Sequence, residues 1–590
     1  MKQFFKFMFA SMLGFFLTCV IFFFMFIIFI AAIIAITGKE DVVVKNNSVL
    51  EIKLNLPVSD RSSNNPFDNF DFTTFKTNKT PGLDKILKAI NNAKTDNNIK
   101  GIYLDLSDIP SGIATIQEIR AALINFKKSG KFIISYSEAY SQGAYYLATV
   151  SDKIYLNPEG DLVFKGLAAE LVFFKGTLEK LDIQPQIIRH GKFKSAVEPF
   201  IADKMSEANK EQTITYIQAL WDQIIKSISE SRKISTAELN NIADDLKIQS
   251  PQDAYNLKLV DSLVYKDELL AIIKSKLKIS EKNDINFISL GKYCNAPANI
   301  KDMKFSKNKI AVIYALGEIM SGEGNGNTIG SETLSKAIRE ARKDSSIKAV
   351  VLRINSPGGS ALASEIIWRE VGLTKKSKPV IVSMGDVAAS GGYYIACAAD
   401  TIVADETTIT GSIGVFSIVP NLEKFLKNKI GVTFDIVKTN QNSDYISVLR
   451  ALTPYEYDIT LKQVERIYQT FIKHVADGRG LTTDQVDSIG QGRVWSGTDA
   501  KRLGLVDCFG GLDDALNIAA YMAKLKDYRI VSLPEQKEAF QQLLENFKSS
   551  GESVILKNKL GKGYEYFNYL ESIKNIHGVQ ARLPYFISIY

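Results

Sequence analysis

The stretch "IISYSEAYSQGAYYLATVSDKI" (133–154) recurs as "IVSMGDVAASGGYYIACAADTI" (381–402), 248 positions further along a chain of 590 residues. Upstream, "KGIYLDL" (100–106) falls on "KAVVLRI" (348–354) at the same offset. Self-similarity at one fixed offset is the mark of a repeated structural unit. The sequence therefore predicts two tandem copies of one domain, which also fits a chain too long for a single core.

The match continues downstream after a slip of two residues, where "DAYNLKLVD" (253–261) corresponds to "DAKRLGLVD" (499–507). Identical residues fix the register on both sides of position 390. They pair Gly143 with Gly391, Tyr145 with Tyr393, Tyr146 with Tyr394, and Asp152 with Asp400.

Each copy alternates apolar runs with amphipathic stretches, which predicts an α/β fold with a parallel sheet covered on both faces. A polar loop or crossover is predicted at 59–80, and long amphipathic helices are predicted at 206–232 and 453–479. The other predicted elements, first copy and then second, are a helix at 83–95 and 332–343, a strand at 101–106 and 348–354, a helix at 114–127 and 362–374, a strand at 131–136 and 379–383, and a strand at 153–156 and 401–404.

Residues 8–36 form an uncharged apolar run. As a helix at ~1.5 Å per residue it is about 43 Å long, against a hydrocarbon core of ~30 Å. A secretory leader has an apolar region of only about 7–15 residues, so we expect an uncleaved transmembrane anchor, with a cleaved leader as the alternative. Lys2 and Lys6 precede the run, which favours an N-terminus inside and the bulk of the chain on the periplasmic or outer side.

These boundaries divide the chain into five predicted parts. They are an anchor at 1–40, a first domain at 41–290, a linker at 291–308, a second domain at 309–530 and a C-terminal extension at 531–590.

The net charge of +7 comes from 72 basic and 65 acidic residues spread along the chain. We therefore expect a solvated surface and no nucleic-acid partner. The four cysteines have no close spacing that would chelate a metal, which predicts neither a structural zinc nor an obligatory disulfide framework. No motif implies a metal or a cofactor.

In the second copy a predicted strand ends in "NSPGGS" (355–360). Open α/β sheets place ligands at the carboxyl ends of their strands. Gly358 and Gly359 would let the backbone approach a ligand and aim N–H groups at an oxyanion. A plain turn is the alternative, but the first copy has Pro110 and Ser111 here, which favours a dedicated role in the second copy.

Ser390 in "GDVAASGGYY" (385–394) stands at the start of a predicted helix. A simple helix cap is one interpretation. However, Gly391 and Gly392 leave the hydroxyl open, and a backbone N–H beside it is available as a second oxyanion donor. The first copy has Gln142 at this position, which is not a nucleophile. Ser390 is therefore a candidate nucleophile.

A nucleophilic serine needs a base, and the chain has only three histidines, of which His190 alone lies near a motif. Lys194 in "QIIRHGKFKSAVEPF" (186–200) would serve if burial lowered its pKa of about 10.4 by about 3 units, at a cost of about 4 kcal/mol. The second copy has Asn442 at the same offset. A surface lysine and a Ser-His pair are the alternatives.

With "FKSAVEPF", "NSPGG", "ASGGYY" and "TGSIGV" together, the chain resembles the long, two-copy form of the S49 serine peptidases, the signal peptide peptidase family. The resemblance implies tandem ClpP/crotonase-like domains. It assigns Ser390 as nucleophile, Lys194 as general base, Gly359 and Gly391 as oxyanion donors, and Ser412 as a residue that orients the lysine.

The resemblance also implies a membrane-anchored endopeptidase that degrades remnant signal peptides and other hydrophobic peptides. The expected setting is the bacterial inner membrane, with the bulk of a homotetramer in the periplasm. Arg493 and Trp495 are expected to be structural, with a role in shaping the substrate groove as the alternative.

Two other functions remain open from the residues. A crotonase-fold acyl-CoA hydrolase or hydratase would also use paired oxyanion amides, but it has no reason for an anchor. A non-catalytic membrane scaffold would not explain the intact motifs of the second copy.

Overall fold

A computed structural model of the chain describes residues 2–36, 42–64, 70–71, 76–77, 81–296, 306–324, 328–536, 578–583 and 587–589. The chain begins with helix α1, Lys2–Ile36, whose residues 2–28 are long and apolar enough to cross a membrane and are not packed inside the protein. A helix of this kind at an N-terminus fits a membrane anchor or a signal sequence.

The first copy is built on a six-stranded sheet in which every neighbouring pair is parallel, in the order β10-β1-β4-β5-β6-β9. Its strands are β1 Ser48–Ile52, β2 Phe70–Asp71, β3 Lys76–Thr77, β4 Ile99–Asp105, β5 Phe132–Tyr140, β6 Lys153–Leu162, β7 Ala169–Leu171, β8 Gln184–Arg189, β9 Ser262–Leu263 and β10 Asn286–Ser289. Its helices are α2 Leu83–Thr95, α3 Ile113–Lys127, α4 Gln142–Ala148, α5 Lys175–Lys180, α6 Glu198–Ile201, α7 Glu207–Arg232, α8 Thr236–Asp244, α9 Pro251–Asn256, α10 Lys266–Leu277 and α11 Leu290–Tyr293.

The second copy repeats the same strand order, β22-β11-β14-β16-β17-β21, and adds β18 beside β16 and β20 beside β18. Its strands are β11 Lys309–Leu316, β12 Glu318–Met320, β13 Thr328–Gly330, β14 Ile347–Ser356, β15 Gly358–Ser360, β16 Val380–Ala389, β17 Thr401–Ala404, β18 Ile409–Gly411, β19 Phe416–Asn421, β20 Val494–Ser496, β21 Cys508–Phe509, β22 Arg529–Leu533, β23 Gln580–Arg582 and β24 Ile587–Ile589. Its helices are α12 Ser331–Lys343, α13 Ala361–Lys375, α14 Gly391–Ala396, α15 Glu423–Phe425, α16 Pro454–Arg479, α17 Thr483–Ile489, α18 Gly497–Arg502 and α19 Leu512–Met522.

The predicted architecture is confirmed: two tandem α/β domains built on parallel sheets follow a long N-terminal apolar helix. Strands β5, β6 and β16 extend further toward their carboxyl ends than the apolar runs predict. The reason is that strand pairing continues beyond a register shift, into residues whose side chains are mixed in polarity. The predicted loop 59–80 lies largely outside the described residues.

A third sheet, ordered β13-β12-β15-β23-β19-β8, joins the two copies. Strand β8 of the first copy runs antiparallel to β19 of the second, from Arg189 opposite Phe416 to Gln184 opposite Asn421. This sheet lies at the carboxyl end of β14, where the Gly358–Gly359 pair begins β15. The boundary between the copies is therefore made of backbone hydrogen bonds as well as side-chain packing.

A buried ion cluster also ties the copies together. The fully buried guanidinium of Arg353 on β14 donates to Asp60 Oδ1 over 2.5 Å and to Glu118 Oε1 over 2.5 Å. Asp60 and Glu118 both belong to the first copy. Asn355 adds a bond of 2.7 Å to Asp60 Oδ2. Each carboxylate is thus neutralised only while the two copies remain docked.

Replacing Arg353 by alanine should lower the free energy of unfolding by about 3–5 kcal/mol, because two carboxylates would remain buried without their partner. Thermal unfolding followed by circular dichroism measures the change. The control is Arg502→Ala, which removes an exposed i,i+3 pair with Asp499 and should cost at most about 1 kcal/mol. Equal stability losses in the two variants would show that the cluster does not hold the copies together.

Candidate active site

Three side chains from two copies meet in a closed site. Lys194 Nζ lies 2.8 Å from Ser390 Oγ and 3.1 Å from Ser412 Oγ, and it also approaches the Ser412 carbonyl oxygen at 3.3 Å. Lys194 and Ser390 have no exposed surface, and Ser412 is 1% exposed. The three residues that the sequence analysis singled out thus come together within one chain.

Ser390 sits on the turn between strand β16 and helix α14. Its backbone has φ 55° and ψ −112°, an uncommon conformation for a residue with a side chain that costs of order ~1–3 kcal/mol. A bond of 2.8 Å from its N–H to the Gly411 carbonyl holds the turn. The hydroxyl is thereby aimed away from the helix toward Lys194. The sequence predicted the helix start but gave no sign of this strained geometry.

Lys194 is carried by the short segment that follows β8. The β8–β19 pairing brings this segment to the second copy, and the N–H of Phe193 donates to the Gln491 carbonyl over 2.9 Å. Gly492, at φ 82°, lies against the lysine backbone, so that an added Cβ would stand 2.7 Å from the lysine Cα. A side chain at position 492 would push the lysine out of place.

Sequence reasoning missed Gln212 on helix α7. Its amide nitrogen donates to Ser195 Oγ over 2.8 Å and to the Phe193 carbonyl over 3.2 Å, and its oxygen accepts the N–H of Val494 over 3.2 Å. Gln212 therefore clamps the lysine segment to β20 of the second copy. The available signal was a polar residue on the apolar side of a predicted amphipathic helix, where Gln212 is 1% exposed.

The surroundings of Lys194 favour a neutral amine. Burial lowers the pKa of Lys194 well below its ordinary value of 10.5, because desolvation penalises the ammonium form. The groups that touch the amine are neutral hydroxyl and carbonyl oxygens, and the ring of Phe416 lies 6.0 Å away. An amine in this environment is favoured in its neutral form, which can accept a proton.

The predicted oxyanion glycines lie beside the serine. Gly358, at φ 96°, packs so closely on Gly391 that an added Cβ would stand 2.6 Å from the Gly391 nitrogen. The N–H of Gly358 donates to Ser356 Oγ over 3.2 Å. Gly358 thus allows the backbone of β15 to pack directly on the start of α14. Its own N–H is already bonded, whereas Gly359 follows it in β15 and Gly391 lies against it.

The equivalent place in the first copy has a structural use. Gln142, which aligns with Ser390, accepts the N–H groups of Lys165 and Gly166 and donates to the Gly166 carbonyl over 3.0 Å. Phe164, which aligns with Ser412, is buried in the core. At the position that corresponds to Ser390, the first copy thus has an amide that bonds the loop at 165–166.

The other residues noted in the sequence pack around the site. The ring of His190 stacks on Tyr468 with centroids 4.1 Å apart, while it is Lys194 that contacts the serine hydroxyl. The guanidinium of Arg493 lies 4.6 Å from the centre of the Phe193 ring and 4.5 Å from that of Trp495. Within the described part of the chain, no group of three or more His, Cys, Asp or Glu residues is arranged to hold a metal ion.

Comparison with known proteins adds the family. The profile of peptidase family S49 matches residues 125–280 and again residues 373–526. Protease 4 of Salmonella typhi is 38% identical over 80% of this chain and 77% of its own length. The chloroplastic serine protease SPPA of Arabidopsis thaliana is 32% identical over 92% of this chain and 78% of its own length.

Among solved structures, a ClpP1 mutant from Listeria monocytogenes covers 35% of this chain and 94% of its own length, with 18% identity and a TM-score of 0.24. The two family matches coincide with the two copies seen in the sequence and in the sheets. They set aside the acyl-CoA enzyme and the scaffold as alternatives. The chain belongs to peptidase family S49 and is a serine peptidase with two copies of the family's domain.

Proposed function

We propose that this chain is a membrane-anchored endopeptidase with a Ser390–Lys194 dyad. Its proposed substrates are remnant signal peptides and other hydrophobic peptides at the membrane. The observation that carries the dyad is the contact of 2.8 Å between Lys194 Nζ and Ser390 Oγ inside a closed site. Both members are required, and because each copy supplies one of them, the domains at 41–290 and 309–530 act as one catalytic unit.

The mechanism follows from these positions. The neutral amine of Lys194 takes the proton of the Ser390 hydroxyl as the oxygen attacks a peptide carbonyl carbon. The N–H groups of Gly359 and Gly391 stabilise the negative oxygen that forms. Lys194 then gives the proton to the departing amine, and a water molecule hydrolyses the acyl-serine ester by the same route.

Ser412 is a positioning residue in this mechanism. Its hydroxyl and its carbonyl oxygen both contact the amine, so two of the amine's hydrogen-bonding directions are occupied. The third is left facing Ser390. The N–H of Ser412 donates to the Arg493 carbonyl. The backbone of Arg493 therefore helps to hold Ser412 in the position from which it contacts the lysine amine.

Helix α1 supports a location at the membrane. Lys2 and Lys6, which precede its apolar run, support an orientation in which most of the chain lies on the periplasmic side of a bacterial inner membrane. Association into a homotetramer is also proposed. The exposed segment after α15 supports it, since Ile430, Val432 and Phe434 are 41–55% exposed and Val437 is 97% exposed. Apolar surface of this extent is typical of a contact between subunits or with lipid.

Ser390→Ala and Lys194→Ala should each lower kcat/KM for a hydrophobic reporter peptide by about 10⁴-fold or more. The double variant should be no worse than either single one, because the two groups act as a unit. The matched control is Lys192→Ala, which removes an exposed lysine two positions away and should retain activity. Full activity in either single variant would disprove the dyad.

The pH dependence of kcat/KM should follow the protonation of Lys194. The neutral amine is the active form and its pKa is lowered by burial, so activity should rise with pH and reach its plateau well below pH 10.5. Activity should be lost as the pH falls through that lowered pKa. A rise centred near the ordinary lysine pKa, in both wild type and Lys192→Ala, would contradict a neutral lysine base.

Deleting residues 2–36 should move the enzyme from the carbonate-washed membrane pellet to the soluble fraction, with hydrolysis of a soluble reporter peptide retained.

The orientation of the full-length chain is tested in intact spheroplasts, where added protease should degrade it because most of the chain is expected outside the membrane. Edman sequencing of the membrane-bound protein should begin within the first residues of α1. A sequence beginning after residue 36 would instead identify a cleaved leader.

A further inference from the structure

A segment from the far C-terminal end of the chain lies inside the active-site sheet. Strand β23, Gln580–Arg582, runs antiparallel to β15, with Gly358 opposite Arg582, Gly359 opposite Ala581, and Ser360 opposite Gln580. On its other side β23 pairs with β19, where Phe416 lies opposite Gln580. The segment thus lies between β15, which carries Gly358 and Gly359, and β19, which follows Ser412 in the chain.

Bonds on either side extend this pairing beyond the strand. The N–H of Ala361 donates to the Val579 carbonyl over 3.2 Å, and the N–H of Leu583 donates to the Pro357 carbonyl over 2.9 Å. The backbone from 579 to 583 is therefore extended and held at both ends. Pairing of an extended peptide with a sheet edge is the way in which many proteins bind peptide chains.

The carbonyl oxygen of Ala581 lies at the oxyanion glycines. A Cβ added to Gly358 would stand 2.1 Å from this oxygen, and one added to Gly391 would stand 3.0 Å from it. Gly391 is the residue directly after Ser390, and Gly359 is the residue paired with Ala581. The carbonyl of Ala581 is thus packed against the backbone of Gly358 and Gly391, directly beside the proposed nucleophile.

The side chains on both sides of this carbonyl are buried. Ala581 has no exposed surface, Arg582 is 5% exposed and Leu583 is 8% exposed. Arg582 forms an ion pair with Glu318, and Leu583 packs in a cluster with Tyr216 and Leu220 of the first copy.

Beyond Leu583, strand β24 pairs antiparallel with β7 of the first copy, with Ile587 opposite Leu171. The chain is therefore fixed before and after the Ala581–Arg582 bond. The two ends are held by different copies, so the bond spans the boundary at which the dyad is assembled.

We propose that the peptidase cleaves its own chain at the Ala581–Arg582 bond. This inference rests on the proposed function. Ser390 Oγ bonds to the carbonyl carbon of Ala581, the bond to the Arg582 nitrogen breaks, and Lys194 transfers the serine proton to that nitrogen. One water molecule then hydrolyses the ester, which leaves a carboxylate at Ala581 and releases residues 582–590 as a free peptide.

Permanent occupation of the position between β15 and β19 would exclude other peptides from the same groove. Cleavage removes the half that is held by Glu318 and β7, and the half that ends at Ala581 keeps only its bonds to β15 and β19. A product held by fewer contacts is more easily displaced. Uncleaved enzyme should therefore hydrolyse a reporter peptide more slowly than enzyme that has lost residues 582–590.

The first test is mass spectrometry of the full chain, purified in detergent, in wild-type and Ser390→Ala forms. Wild type should end at Ala581 and release the peptide 582–590, whereas Ser390→Ala should end at Tyr590. A wild-type C-terminus at Tyr590 in a preparation that hydrolyses the reporter peptide would overturn self-cleavage while leaving the proposed function standing. Loss of both activities would instead point to failure of the proposed function.

The second test changes the residue before the cut. Ala581→Ser keeps a small side chain in the buried position and should still be processed at the same bond. Ala581→Trp does not fit a site with no exposed surface, so this variant should end at Tyr590 and still hydrolyse the reporter peptide. Removal of residues 582–590 from Ala581→Trp at full yield, or processing of wild type at another bond, would contradict the proposed site.

Discussion

Burial of the Lys194 amine is the constraint on which the arrangement of this protein depends. A lysine acts as a base near neutral pH only where desolvation lowers its pKa, and neither copy could enclose it alone. The β8–β19 pairing, the close approach of Gly492 and the clamp made by Gln212 all press the lysine segment of the first copy against the second. The Arg353 cluster, near the carboxyl end of β14, also holds the two copies together.

The two copies share one fold but contribute different residues to the site. Both copies keep the sheet and the turn into α4 or α14, because those features fold the domain. At the tip of that turn the first copy has Gln142, whose amide bonds the loop at 165–166, and the second copy has the strained Ser390. The first copy instead contributes the lysine segment and helix α7 to the site that the second copy carries. The C-terminal strand β23 pairs with β15 beside that site.

The sequence predicted the residues of the site itself, but not the residues that hold them in place. Ser390, Lys194, Ser412 and the Gly358–Gly359 pair stand in short motifs, and comparison of the copies exposed them because each is present in one copy and absent from the other. Gln212 and Gly492 could not be found in this way. Their roles depend on which backbone atoms lie opposite them, and no local pattern links two residues that stand 280 positions apart.

By itself the sequence determined the class of fold, the two-copy organisation and the apolar N-terminal helix, and it singled out the candidate reactive side chains. Hydrophobic periodicity, glycine pairs and self-similarity are local or repeated patterns, so they can be read directly from the order of the residues. Only the tertiary structure decided that Lys194 reaches Ser390 within one chain, that Arg353 is neutralised by the other copy, and that the Ala581 carbonyl packs on Gly358 and Gly391. Each of these depends on burial and on strand pairing between distant segments, which fix distances that no spacing along the chain encodes.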